Sequence, residues 1–194
     1  MAMKTSRGGC LRGAACAAWL AFWLGLSLAT GCKPASDSKP AGVRLALVDH
    51  AGLMVEVAKQ RGRVVVLDCW STSCPPCVRE FPKLIAMQKK LGNAVCCLSL
   101  SFDYEGIGTP EQAMPRVQRF LEQVNAHQIV NLLSQEEADT MYRQLDLASI
   151  PAVYVWQADG SLAQRFDGDD ATQRLGRPFT YDDVEAVVRR LLLK

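Results

Sequence analysis

The chain has 194 residues, 49% of them hydrophobic and 22% charged, enough for one globular domain with a sizeable core plus appendages. Its net charge of +2 is concentrated at one end. Lys4, Arg7 and Arg12 are the only charged residues among the first 31, and the rest carries 19 basic against 20 acidic side chains with no Lys/Arg block, which speaks against a nucleic-acid surface.

The N-terminus has the order of an export signal: a basic stretch, "MAMKTSRGGCLRG", an uncharged apolar run from Ala14 to Ala29, then "TGCKPASDSKPAG". The apolar run is short for a spanning helix, which needs about 20 residues. Ala29, Thr30, Gly31 and Cys32 are similar to a bacterial lipobox, with the usual Leu displaced to Leu28. Residues 1–31 are therefore expected to be a lipoprotein-type signal and Cys32 the lipid attachment site. Residues 32–42, rich in Pro, Ser and Lys, would form a flexible tether, and residues 43–194 the folded domain. An uncleaved anchor and ordinary cleavage are the alternatives. All three place the domain outside the cytoplasm, on the periplasmic side.

Within the domain, "VRLALVD" (Val43–Asp49) reads as a strand and "HAG" as a turn, followed by a short helix, "LMVEVAKQRG", closing at Gly62. "VVVLDCW" (Val64–Trp70) is β-branched and apolar at first, the pattern of a strand buried on both faces. A helix then runs from Cys74 to about Leu91, and "AVCCLSLSF" (Ala94–Phe102) is a second buried strand. After the loop "DYEGIGTPEQ" come a helix over residues 111–126 containing Pro115 and a strand over 127–133. Residues 134–146 read as a helix capped by Ser134, with Glu137 completing a capping box. "AVYVWQ" and "SLAQRF" form a hairpin about "ADG", and residues 181–194 form a closing helix, acidic first and basic near its end. This order predicts an α/β protein: a central mixed sheet with parallel middle strands, an antiparallel edge hairpin and flanking helices.

"LDCWSTSCPPCVREFP" (Leu67–Pro82) carries the chemistry. Three readings of Cys74 and Cys77 compete. Structural zinc needs about four ligands, and the two histidines, His50 and His127, stand in no ligand spacing. A disulfide closing so small a loop stabilises little. A redox dithiol at a strand-to-helix junction fits best. Pro75 and Pro76 suit a helix's first turn, where N–H groups lack partners. Cys74 then sits at the helix's positive end, which favours the attacking thiolate, and the more buried Cys77 resolves the mixed disulfide.

The segment "VVLDCWSTSCPPCVREFPKL" resembles the active-site region of the thioredoxin superfamily, above all its membrane-tethered, TlpA/ResA-like thiol-disulfide oxidoreductases. Asp68, Trp70, Cys74, Cys77 and Pro82 fall on that pattern, and "SIPAVYVWQADG" resembles the family's second signature. The resemblance spans about Val43 to Lys194. It implies a thioredoxin-like fold with an N-terminal strand extension and a helix/strand insertion before a cis proline. It implies catalytic roles for Cys74, Cys77, Asp68 and Pro151, with Asp68 a buried carboxylate of raised pKa that relays a proton at Cys77. It further implies that Ile150 and Pro151 bind an extended substrate, alongside Trp70, Pro75 and Pro76; for Trp70, local packing is the competing reading. Cys69 stands where Phe is usual and Ser73 where Trp is usual, so an apolar wall beside the site is lost.

Pro75 and Pro76 offer neither an N–H nor a polar side chain to a thiolate, and no His lies inside the dithiol, which argues for a reductant rather than a strong oxidant. No cofactor and no metal are implied. The expected partners are protein disulfide or dithiol clients, possible clients including those of cytochrome c maturation, an upstream electron donor, and the membrane through the N-terminal lipid or anchor. Cys69, Cys96 and Cys97 lie in buried-strand patterns and read as small hydrophobes. A peroxiredoxin-like peroxidase is an alternative, weakened by Leu67 where that family has Pro. A redox-inactive binding module on the same fold is another.

Overall fold

β-branched and apolar runs make the middle of a sheet, and the amphipathic segments between them cover it on both sides. The computed structural model describes residues 42–193. The expected signal, the lipid site Cys32 and the tether as far as residue 41 lie outside the described residues. In chain order the elements are β1 (Leu45–Val48), α1 (His50–Ala58), β2 (Val64–Trp70), α2 (Pro75–Leu91), a 3₁₀ turn (Gly92–Ala94), β3 (Val95–Ser101), α3 (Pro110–Gln123), β4 (Val130–Ser134), α4 (Ala138–Leu145), β5 (Ala152–Trp156), β6 (Leu162–Phe166), α5 (Gly168–Leu175) and α6 (Tyr181–Leu192).

The six strands lie in the order β1-β4-β3-β2-β5-β6. β1, β4, β3 and β2 run parallel, as crossover helices require, and β5 and β6 join antiparallel. Every residue of β2 and β3 is buried. The thioredoxin-like arrangement anticipated from the sequence is present: a mixed sheet with parallel middle strands and an antiparallel hairpin edge.

Side chains alternate across a strand, so β2 feeds two cores. Val64, Val66 and Trp70 face α2, α3 and α6, meeting Phe81, Leu84, Val117, Leu121, Val184 and Val188. Val65, Leu67 and Cys69 face α1 and α4, meeting Leu53, Val57, Met141 and Leu145. Asp68 has the parity of Val66 and Trp70 and therefore belongs to the α2/α6 side. None of the described helices is long and apolar enough to cross a membrane.

Two local expectations need correction, and one element goes beyond them. "HAG" is not a turn but the first turn of α1, because the Asp49 side chain accepts a hydrogen bond from Gly52 N at 2.7 Å and caps a helix beginning at His50. Ser134 is not a helix cap. It ends β4, pairing with Val48, and its hydroxyl donates to the Glu136 carbonyl at 2.7 Å. Sheet pairing wins over the local capping pattern, and α4 starts four residues later. Residues 168–175, unassigned from sequence, form α5.

Candidate active site

Cys74 is the N-cap of α2, with Pro75 and Pro76 as its first two residues. No N–H is lost to the helix there, since the first turn has no intrahelical acceptor for it. Cys74 and Cys77 are joined by a disulfide with Cα atoms 5.3 Å apart, within the ordinary range. Cys77 is 2% exposed whereas Cys74 is only partly covered. An incoming sulfur can reach the first cysteine and not the second. Cys74 Sγ also accepts a hydrogen bond from Cys77 N at 3.3 Å. That amide and the positive end of α2 are what the site offers a developing thiolate.

Asp68 is 3% exposed. Burial pushes its carboxyl up to about 7, partly offset by the Tyr181 hydroxyl beside it. Tyr181, the first residue of α6, is itself buried, and burial together with the Asp68 charge holds its phenol well above the usual range. By strand parity Asp68 projects to the side of the sheet that holds Cys77. A carboxyl poised near neutral pH on that side can take or return a thiol proton.

Ile150–Pro151 is a cis peptide. Cys69 pairs with Ala152 in the antiparallel β2–β5 ladder, which sets Pro151 at the level of Trp70, where β2 hands over to the Ser71–Cys74 turn. Ile150 and Pro151 are both partly exposed. Ile150 lines a cavity of about 310 Å³ together with Ser71, Ser73, Phe102 and Tyr142. Pro75 is exposed and Pro76 partly so. These residues can meet an extended segment laid across the redox pair.

Trp70 cannot. It is 0% exposed, its ring 4.6 Å from Phe81 and 4.8 Å from Phe120 between centroids. The expectation that Trp70 contacts substrate gives way to a packing role: it wedges the end of β2 against α2 and α3.

Cys69, Cys96 and Cys97 are free and buried. Burial raises all three thiols. Cys96 faces the α1/α4 core and Cys97 the opposite one. Leu100, not a cysteine, is the parallel-ladder partner of Cys69. They behave as small core residues.

Sequence reasoning missed Asp103, read there as the start of a loop. It is buried, and its carboxylate bonds Thr72, Ser101 and Arg116. The available signal was positional. It follows a fully buried strand, at the C-terminal end of the parallel strands, where α/β proteins place their sites.

Comparison with known proteins gives this geometry its family. The Redoxin family model matches residues 34–187. No curated protein sequence matches significantly. Among solved structures, a thioredoxin-family thiol:disulfide interchange protein from Chlorobium tepidum TLS superposes with a TM-score of 0.52 at 18% identity, covering 70% of this chain and 83% of that one. A DsbF homologue from Corynebacterium diphtheriae gives 0.52 at 17% identity, covering 70% and 76%. A secreted Mycobacterium tuberculosis disulfide oxidoreductase homologous to E. coli DsbE gives 0.50 at 20% identity, covering 69% and 86%. These likenesses establish the fold. The family match over residues 34–187 means that the chain belongs to the Redoxin family, on a thioredoxin-like fold whose Cys74–Cys77 pair closes a disulfide at the start of α2.

Proposed function

We propose that this protein works outside the cytoplasm as a membrane-tethered reductant of protein disulfides. The observation that carries the reading is the asymmetry of the pair: a reachable Cys74 capping α2, a buried Cys77, and a buried carboxyl of raised pKa on the same side of the sheet.

In the proposed cycle the Cys74 thiolate attacks one sulfur of a client disulfide. A mixed disulfide forms and the other client sulfur leaves as thiolate. Ile150 and Pro151 hold the client segment alongside. Asp68 takes the Cys77 proton, and the Cys77 thiolate attacks Cys74 Sγ, releasing the second client thiolate. Two electrons have passed to the client, and the protein is left with the Cys74–Cys77 disulfide. A dithiol donor then restores it by the reverse exchange. Proteins awaiting haem attachment in cytochrome c maturation are one client class that fits this chemistry.

The reducing direction is supported by what surrounds Cys74. Pro75 and Pro76 supply no N–H, leaving Cys77 N as the donor described on Cys74 Sγ. A weakly held thiolate is a poorer leaving group from the disulfide, which favours the oxidised form and makes the dithiol the better reductant. The order of charges and apolar residues before Cys32 supports a lipid anchor followed by a short tether.

Replacing Cys77 with Ser stalls the cycle at the mixed disulfide. Expressed in its own envelope, Cys77→Ser should accumulate clients bound through Cys74 that thiol reagents release. A variant that captures nothing argues against protein clients.

A further inference from the structure

Ser71, Thr72 and Ser73 connect the end of β2 to Cys74. Ser73 is exposed and Thr72 only partly buried. Yet the turn is closed. Cys74 N donates to the Ser71 carbonyl at 3.2 Å, Ser73 N donates to Ser71 Oγ at 3.1 Å, and the Ser71 and Ser73 hydroxyls meet at 2.9 Å.

The turn is tied to the fold through Asp103. Thr72 N donates to Asp103 Oδ2 at 3.0 Å, and Ser101 Oγ donates to the same oxygen at 2.6 Å. Asp103 Oδ1 accepts from Thr72 Oγ1 and, at 2.8 Å, from Arg116 Nε of α3. Arg116 also donates to the Asp103 carbonyl. A carboxylate has about four lone-pair sites, and all four are occupied. A buried charge is tolerated when it is paired and bonded in this way. One carboxylate thus joins the turn before the redox pair to the neighbouring strand and to α3.

The turn matters because Cys74 is a helix cap. Its extended backbone, φ −100° and ψ 99°, is what lets Sγ reach back to Cys77 N, and residues 71–73 feed directly into that backbone. We propose that Asp103 is a positioning residue of this site: by gripping Thr72 and Arg116 it holds the Ser71–Cys74 turn so that Cys74 Sγ stays on the Cys77 amide. The inference rests on the reading of Cys74 as the attacking thiol.

The sign of one measurement separates positioning from a through-space effect. Removing a negative charge near a thiol eases its ionisation. Loosening the cap hinders it by withdrawing a donor from the thiolate. Iodoacetamide alkylation of the reduced full chain is followed against pH at Cys74 itself, by fragmentation mass spectrometry that localises the label and separates Cys74 from Cys69 and Cys77 on the same peptide. In Asp103→Asn the alkylation midpoint should move to higher pH, and the rate at pH 7 should fall about three- to tenfold, the size of a lost helix cap. Thr72→Val removes a hydroxyl but no charge and should move the midpoint the same way. An unchanged or lowered midpoint in either folded variant overturns the proposal. If Asp103→Asn fails to fold, Thr72→Val decides alone. If the variants show these shifts while the wild-type chain has no disulfide reductase activity, the functional reading is refuted and the positioning role is left intact.

Discussion

Asp68 is where folding and chemistry make opposite demands on one side chain. Its carboxyl ionises near 7 in the fold against an ordinary value of 3.8. The folded chain therefore holds this proton more tightly than the unfolded one, and stability must fall as pH rises from about 4 through 7. The difference is on the order of 4 kcal/mol above neutrality. Asp68→Asn should lose that slope: its thermal midpoint should hold up better than wild type at pH 8, with little difference at pH 4. The same variant should slow release of the mixed disulfide in single-turnover experiments and lose the rate inflection near pH 7. A wild-type slope retained in the variant would mean another group carries it. At this scale the sequence was informative for Cys74, Cys77, Asp68 and Pro151, because each belongs to a motif with fixed spacing. It left Trp70 open between two readings, since its aromatic character suits a binding surface as well as a core, and its full burial favours the core. It was silent on Asp103, whose partners Thr72 and Arg116 lie 31 and 13 residues away.

At the scale of elements, α2 does two jobs. Its N-terminal end carries the redox pair, and its buried stripe of Phe81, Leu84 and Met87 anchors it to the sheet. Phe81 is fully buried and touches both Trp70 and Phe120. Phe81→Ala should cost about 3–5 kcal/mol in denaturant unfolding, a loss that a lower urea midpoint would report. The proline pair tunes the other end. Pro76→His places a donor, cationic when protonated, beside Cys74 and should make the protein more oxidising. A shift of about 30 mV corresponds to a tenfold change in the exchange equilibrium, readable by equilibration with glutathione. An unmoved or lowered potential would remove the argument that the prolines set direction. β2, β3 and α2 were legible because uninterrupted β-branched runs and a proline-led helix leave few alternatives. The start of α1 and the role of Ser134 were not, since "HAG" looks like a turn until Asp49 caps it, and Ser134 looks like a cap until β1 claims it. Among the described side chains of α5 there is no buried stripe a periodicity search would find, and Ala171 alone of them is fully buried.

For the whole molecule, the sheet places the ends of β2 and β3, the cap of α2 and the cis-proline strand at one edge, and in the proposed reading the N-terminal segment supplies the address. The mature N-terminus can be read directly: if Cys32 is the anchor, mass spectrometry should find a lipidated Cys32 as the first residue, and an unmodified Cys32 would remove the lipoprotein claim. Fold class was legible because the order of strands and helices, the hairpin turn and the CPPC segment agree with one another. In the proposed reading client choice depends on the shape around Ile150, Ser71 and Ser73, and shape depends on packing that no single motif encodes. The account stands most directly on the turnover of insulin disulfides by the full chain, driven by a dithiol donor. Wild type should precipitate insulin faster than the donor alone, and Cys74→Ser should fall to the donor's own rate. A Cys74→Ser protein as active as wild type would contradict the account.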